Sequence, residues 1–211
     1  MGKLNLASVI DNSADKSPDH IFVRDGDKDT DYGTINRKIN QFANLLVKSG
    51  VMAGDKIGIF LPNIDLVPIT IFGSIKSGAV AVPINILTPS KTLTEALAET
   101  GCKAIVTIGE LYEKVIEGAN GVPECQTILL AQPITTEVGA QTVILEKTMD
   151  DMADDFAAWP TSADDPAIIL FTSGTTGRQK GVVISHWYGY FLAQALARDM
   201  FRLGSWDTIM M

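Results

Sequence analysis

The chain has 211 residues, 46% of them apolar and 20% charged, which is the composition of a folded globular protein and not of a disordered one. That length allows one large domain or two small ones, either with a real core. A formal net charge of -8 argues against a nucleic-acid partner, although a local loop in an acidic protein can still be electropositive and hold a nucleotide.

The first twenty residues contain no apolar run long enough for a signal peptide. The chain begins Met-Gly, but Leu6 stands where a myristoylation signal needs Ser or Thr. In "YGTINRKINQFANLLVKSG", the apolar positions Ile35, Ile39, Phe42, Leu45 and Leu46 recur at three- and four-residue spacing, which predicts a helix. Thr34 or Gly33 can open it, and Gly50 closes it. A turn at Gly54-Asp55 then leads into a short apolar strand, Lys56 to Leu61. The most apolar stretch, Ile57 to Ile75, is interrupted by Pro62, Asn63, Asp65 and Pro68, so it reads as a strand, a turn and a buried helix and not as a membrane span. That second helix ends at Gly78, with Pro68 in its first turns.

"AVAVPIN" is the next strand, and "TPSKTLTEALAETG" a helix capped by Thr or Ser and stopped at Gly101. "CKAIVTI", "QTILLAQ" and "QTVILEK" read as further strands, and the acidic "DDMADDFAAWPTSADD" as a surface connection. Strands alternating with Gly-closed helices predict an α/β fold built from βα units around a mostly parallel sheet. Cys102 and Cys125 are the only cysteines; without His clusters they form neither a disulfide framework nor a zinc site, and they read as ordinary half-buried thiols of a cytoplasmic protein. His20 and His186 are the only histidines, and nothing in the sequence pairs the two with each other.

Near the end, Ala167 to Phe171 reads as a strand, "GVVIS" as another, and Trp187 to Arg202 as a helix with Phe191, Ala195, Leu196 and Met200 on one face. Trp187 and Tyr188 read as packing residues at its start. Between the two strands lies "TSGTTGRQKG", too polar for core. Gly174 and Gly177 can free converging backbone N–H groups, and Ser173, Thr175, Thr176 and Lys180 add hydroxyls and a charge, a set that suits phosphate oxygens. A surface hairpin loop rich in turn formers has the same composition, so both readings stand. A Walker A loop is excluded: Lys180 follows Gly177 by three residues and is itself followed by Gly181, and no helix comes next.

"FTSGTTGRQKGVVISH" resembles the phosphate-binding signature of the adenylate-forming enzymes, that is, acyl-CoA synthetases, luciferases and peptide-synthetase adenylation domains. The match runs from Phe171 to Val182, with Gln179 in place of the usual Pro and His186 at the family's expected place. Two earlier segments are similar to the family in the same order. "DYGTINRKINQFANLLVKSGVMAGDKIGIFLPN" matches at Gly50, Val51, Gly54 and Asp55, with Ile35 in place of a Leu, and the other segment is Ser74 to Asn85. The resemblance covers the chain from about Leu6 to Met211.

It implies that residues 1–211 are part of the N-terminal domain of such an enzyme, incomplete at the C-terminus, with the C-terminal remainder and lid domain absent. The implied reaction converts a carboxylic acid, a fatty acid by default and an aryl acid as runner-up, to an acyl-adenylate with ATP and Mg²⁺, and then to a thioester with coenzyme A. The resemblance assigns the phosphates to Thr172, Ser173, Gly174, Thr175, Thr176, Gly177 and Lys180, and a Mg²⁺ contact to Thr172; it assigns no catalytic residue, and His186 reads either as shaping the site or, more simply, as a hydrogen-bonded residue at a strand end. The isolated chain is expected to be inactive and to need its missing half or a homo-oligomeric partner. The alternative is a truncated, non-catalytic nucleotide-binding module or half of a split enzyme.

Overall fold

The computed structural model describes residues 3–135, 138, 139, 141–172, 180–204 and 207. Its centre is a seven-stranded sheet in the order β7-β6-β5-β3-β4-β8-β9, parallel except for the last pair. The strands are β3 (Lys56–Phe60), β4 (Val80–Pro83), β5 (Cys102–Thr107), β6 (Thr127–Leu130), β7 (Thr142–Ile144), β8 (Pro166–Thr172) and β9 (Lys180–Ser185). A separate antiparallel hairpin, β1 (Ile21–Asp25) and β2 (Lys28–Asp31), precedes them.

Because alternate strand residues face opposite ways, the sheet feeds two cores. Ile57, Ile59, Ala104, Val106 and Leu129 enter one, under α1 (Ser8–Lys16), α2 (Tyr32–Lys48), α3 (Leu66–Lys76) and α6 (Leu145–Met149). Phe60, Ile105, Ile128 and Leu130 enter the other, under α4 (Ser90–Thr100) and α5 (Tyr112–Ala119). The α/β class with a mostly parallel sheet is thus the observed one.

The helices follow from their patterns with some differences at the ends. In α2 the five expected positions are all buried, but the cap is Asp31, not Gly33 or Thr34; its carboxylate accepts from Thr34 N at 2.6 Å, which holds its pKa below the ordinary carboxylate value. Helix α4 starts after Pro89 with no side-chain cap, since the Ser90 hydroxyl bonds to Glu117 instead, and Gly101 ends it in the left-handed conformation. "QTVILEK" is strand only to Ile144 and then turns into α6.

The helical layer over the first core is fastened by polar groups. Lys76, 1% exposed, bonds through Nζ to Asp11 of α1 and Asn40 of α2. The acidic connection is pinned as a strap: Asn40 donates to Asp154 O, Asn44 to Ala153 O and Asp155 O, and Trp159 N to Lys76 O. Cys102 and Cys125 are fully and not half buried, and burial pushes their thiols up to about 11 and about 12, so both are unreactive neutral thiols at neutral pH. Among the described residues no helix is long and apolar enough to cross a membrane.

Candidate active site

The site is built on the β8–β9 hairpin. Strand β8 is parallel to β4 through Ala81 and Ile168, so its Thr172 end lies at the carboxyl edge of the parallel strands, beside the ends of β3, β4 and β5. In open α/β sheets, ligands bind at that edge. Strand β9 runs back antiparallel with Thr172 opposite Lys180, and the Thr172 hydroxyl donates to Lys180 O at 3.4 Å. Both residues are exposed. The segment 173–179 therefore spans from the carboxyl end of one strand to the start of its neighbour. Ser173, Gly174, Thr175, Thr176 and Gly177 lie outside the described residues.

The hairpin is tightly registered just below the loop. A Cβ on Gly181 would stand 3.0 Å from Ile169 Cγ2 and 3.7 Å from the Phe171 ring. Those two side chains pack on the second core, so the small residue lets β9 lie flat beside β8 and carries Lys180 to the loop's base.

His186 occupies a different place. Pro166 pairs with Ser185, so His186 follows at the amino edge, about 20 Å along β8 from Thr172 at ~3.3 Å per residue. It is 1% exposed; its Nδ1 accepts from Leu6 N at 3.0 Å, and its backbone N–H donates to Asp165 O. Accepting at Nδ1 requires the neutral ring with hydrogen on Nε2. Burial lowers its pKa, against a smaller opposing pull from Asp165. His186 is thus a hydrogen-bonded residue at a strand end, and it holds the N-terminal segment to the hairpin.

Because the folded pKa lies below the unfolded one, the neutral ring stabilises the fold fully above about pH 6.5, and that contribution is lost as pH falls towards the lowered value. Urea midpoints at pH 7 and pH 5 should show His186→Asn, which keeps an acceptor but cannot titrate, losing less stability on acidification. The gap is bounded by about 1.4 kcal/mol per pH unit. Equal pH dependence in both proteins would refute the assignment.

Helix α7 (His186–Gln194), capped by the Ser185 hydroxyl, follows, and a π-helical turn continues it from Ala195 to Met200. The helix is the expected one, but Phe191, Leu196 and Met200 of its apolar face are exposed, and Trp187 and Tyr188, which read as packing residues, are exposed too. Trp187 stacks on Phe191 rather than on the core.

The class these elements define is an α/β domain with helices on both faces of a mostly parallel sheet. Residues 10–211 match the family model of the AMP-binding enzymes, and the chain belongs to that family. It is 34% identical over 177 residues to a crotonobetaine/carnitine–CoA ligase of Escherichia coli O1:K1 / APEC, covering 80% of this chain and 34% of the relative. It is 29% identical over 215 residues to acetyl-coenzyme A synthetase 2 of Candida glabrata, covering 92% of this chain and 31% of that one. Among solved structures, the anthranilate CoA ligase AuaEII in complex with anthranoyl-AMP superposes with a TM-score of 0.87 at 18% identity, covering 93% of this chain and 38% of that one. The 211 residues thus span about a third of the length of the proteins they match.

Proposed function

We propose that these residues form the phosphate-binding part of an ATP-dependent acyl-CoA synthetase about three times as long. The observation that carries this reading is the loop's position: residues 173–179 leave β8 at the carboxyl edge, and Lys180 is placed at their far end. In the reaction, a carboxylate oxygen attacks the α-phosphorus of ATP and the bond to the β-phosphate oxygen breaks, releasing pyrophosphate. The coenzyme A sulfur then attacks the acyl carbon and AMP leaves.

Loop N–H groups, the hydroxyls of Thr172, Ser173, Thr175 and Thr176, the close approach allowed by Gly174 and Gly177, and the Lys180 ammonium would hold the β- and γ-phosphates and meet the charge developing on pyrophosphate. Mg²⁺ prefers hard oxygen donors and substrate phosphates, which the exposed Thr172 hydroxyl fits. The acid is taken as a fatty acid, because Asp31–Asn63 and Ser74–Asn85 resemble fatty acyl-CoA synthetases. The relatives' own printed acids differ from one another, so the acid is the part to test first. The isolated 211 residues should turn over nothing, for want of the groups that position the acid.

The test joins residues 1–211 to the remaining two thirds of the E. coli ligase and supplies ATP, Mg²⁺ and a panel of fatty and aryl acids. Acid-dependent release of AMP and pyrophosphate in equal amounts, with hydroxylamine trapping the acyl group, is expected. ADP and phosphate as products would sink the proposal. Turnover by residues 1–211 alone would sink the claim that they are insufficient.

A further inference from the structure

The β8–β9 hairpin and α7 are thinly attached to the body of the fold, that is, to the other strands and their helices. Among the described residues, β8 joins β4 through one ladder pair, Ala81 with Ile168, whereas β3 joins β4 through four pairs and β5 through five. Of the described residues in β8, β9 and α7, only Ala167 and His186 are buried, while four of the five in β3 are. Ile168, Ile169, Phe171 and Tyr190 are half-buried against the two cores. The backbone N–H groups of His186 and Trp187 donate to Asp165 O and Ala163 O, just before β8, so they close this unit on itself. Regions with few buried apolar contacts open locally at low cost.

Residues 3–7 bridge the unit to the body. On the body side, Asn5 is 7% exposed, and its Nδ2 donates to Ile75 O in the last turn of α3 (2.9 Å) and to Trp159 O of the strap (3.1 Å). Its Oδ1 accepts from Ala7 N at 3.0 Å, which fixes the side chain's direction. Leu4 and Thr161 exchange two further bonds, of 3.0 and 2.6 Å. On the hairpin side, Leu6 N donates to His186 Nδ1. A Cβ on Gly189 would stand 2.8 Å from Leu6 Cδ2, so α7 rests directly on that side chain.

We infer that residues 3–7 are a clasp acting in series: Asn5 fastens it to the body and Leu6 to the hairpin, and the hairpin opens with α7 as one unit when either fastening goes. Thr172 and Lys180, with the segment 173–179 between them, ride on the opening unit, whereas the ends of β3 and β4 belong to the body. Closing the clasp therefore brings the two sides of the carboxyl edge together. The device follows from packing and not from acyl activation, so it stands or falls independently of the proposed function.

Native-state hydrogen exchange on the 211-residue chain tests it. The hydrogen-bonded amides of β8, β9 and α7 should exchange as one group, protected at least ~100-fold less than those of β5 and β6. Ile105→Val, which loosens the body's buried core, should speed exchange in β5 and β6 and leave the hairpin group alone. Asn5→Ala and His186→Ala should each speed the hairpin group by about 10-fold, the scale set by one or two buried hydrogen bonds. The double variant should go no faster than the faster single one, because a clasp in series is open once either end is. Single variants that exchange at the unmodified rate, or factors that multiply in the double variant, would overturn the clasp. Hairpin amides that quicken together with β5 and β6 in Ile105→Val would overturn the separate unit.

Discussion

Gly73→Val should lower the stability of the fold by about 3 kcal/mol, which for a domain of this size lowers the melting temperature by roughly 6–12 °C. Gly73 is where α3 crosses α2: a Cβ there would lie 2.7 Å from Phe42 Cδ1, 3.2 Å from Phe42 Cβ and 3.1 Å from the Ile39 carbonyl oxygen. The ring can rotate, but the carbonyl belongs to a helix buried along one side by Ile35, Ile39, Phe42 and Leu46. Removing a helix-interior glycine gains back only about 0.5–1 kcal/mol, so the clash wins.

Phe42→Ala should cost about 3–5 kcal/mol by itself, because it empties the core. Together the two changes should cost less than their sum, since each relieves what the other causes. Urea unfolding of the four proteins measures this coupling. Additivity within ~0.5 kcal/mol would show that the two helices do not meet at Gly73 in the way described.

Helix α2 also shows, together with α4, what was legible in the sequence. α2 and α4 carry clean three- and four-residue apolar spacing, and Gly101 stops α4 as expected, because side chains on one face and a left-handed residue at the end are local facts. α1 carries "SVIDNSADK", rich in Asp, Asn and Ser, which favour caps and turns over helix interiors. It is helical because Ile10 and Ala14 are buried and Asp11 reaches Lys76, sixty-five residues on. No local pattern states that. α5 was also missed, although Tyr112 and Val115 form an inward pair. The β1–β2 hairpin had a signal, the Asp25-Gly26 pair followed by "DKDTD", with Gly26 at a φ of 58°.

The candidate site divides in the same way. The loop's chemistry is local: glycines, hydroxyls and a lysine state it in ten consecutive residues, and the βα alternation puts its strand in a parallel sheet. His186 shows the limit. Its distance from the loop is set by the pairing of β9 with β8, which carries it to the opposite edge, and its partner Leu6 is 180 residues away. Helix α7 marks a related limit: a 3.6-residue apolar period places residues on one face but does not state what that face meets.

In the fused enzyme, Lys180→Ala should reduce acyl-adenylate formation by about 10²–10³, the range seen when one preorganised donor to developing charge is removed. Lys180 sits opposite Thr172 at the start of β9, exposed at the carboxyl edge, with Gly181 packed under Ile169 and Phe171. Its backbone is therefore held by the sheet, while under the proposed function its exposed ammonium would follow a phosphate as charge passes to the leaving pyrophosphate. A group that stabilises that charge acts mainly in the transition state, so kcat should fall and the KM for the acid should stay nearly constant. Lys180→Arg keeps the charge but spreads it over a planar fork, and should recover part of the rate. A merely structural lysine would behave differently: the alanine variant would lose melting temperature in residues 1–211 alone, and arginine would restore stability without restoring rate. Pyrophosphate-exchange rates at saturating acid, with and without Mg²⁺, separate the two cases. A Lys180→Ala enzyme that exchanges pyrophosphate at the unmodified rate would remove the loop from the chemistry, whatever the family.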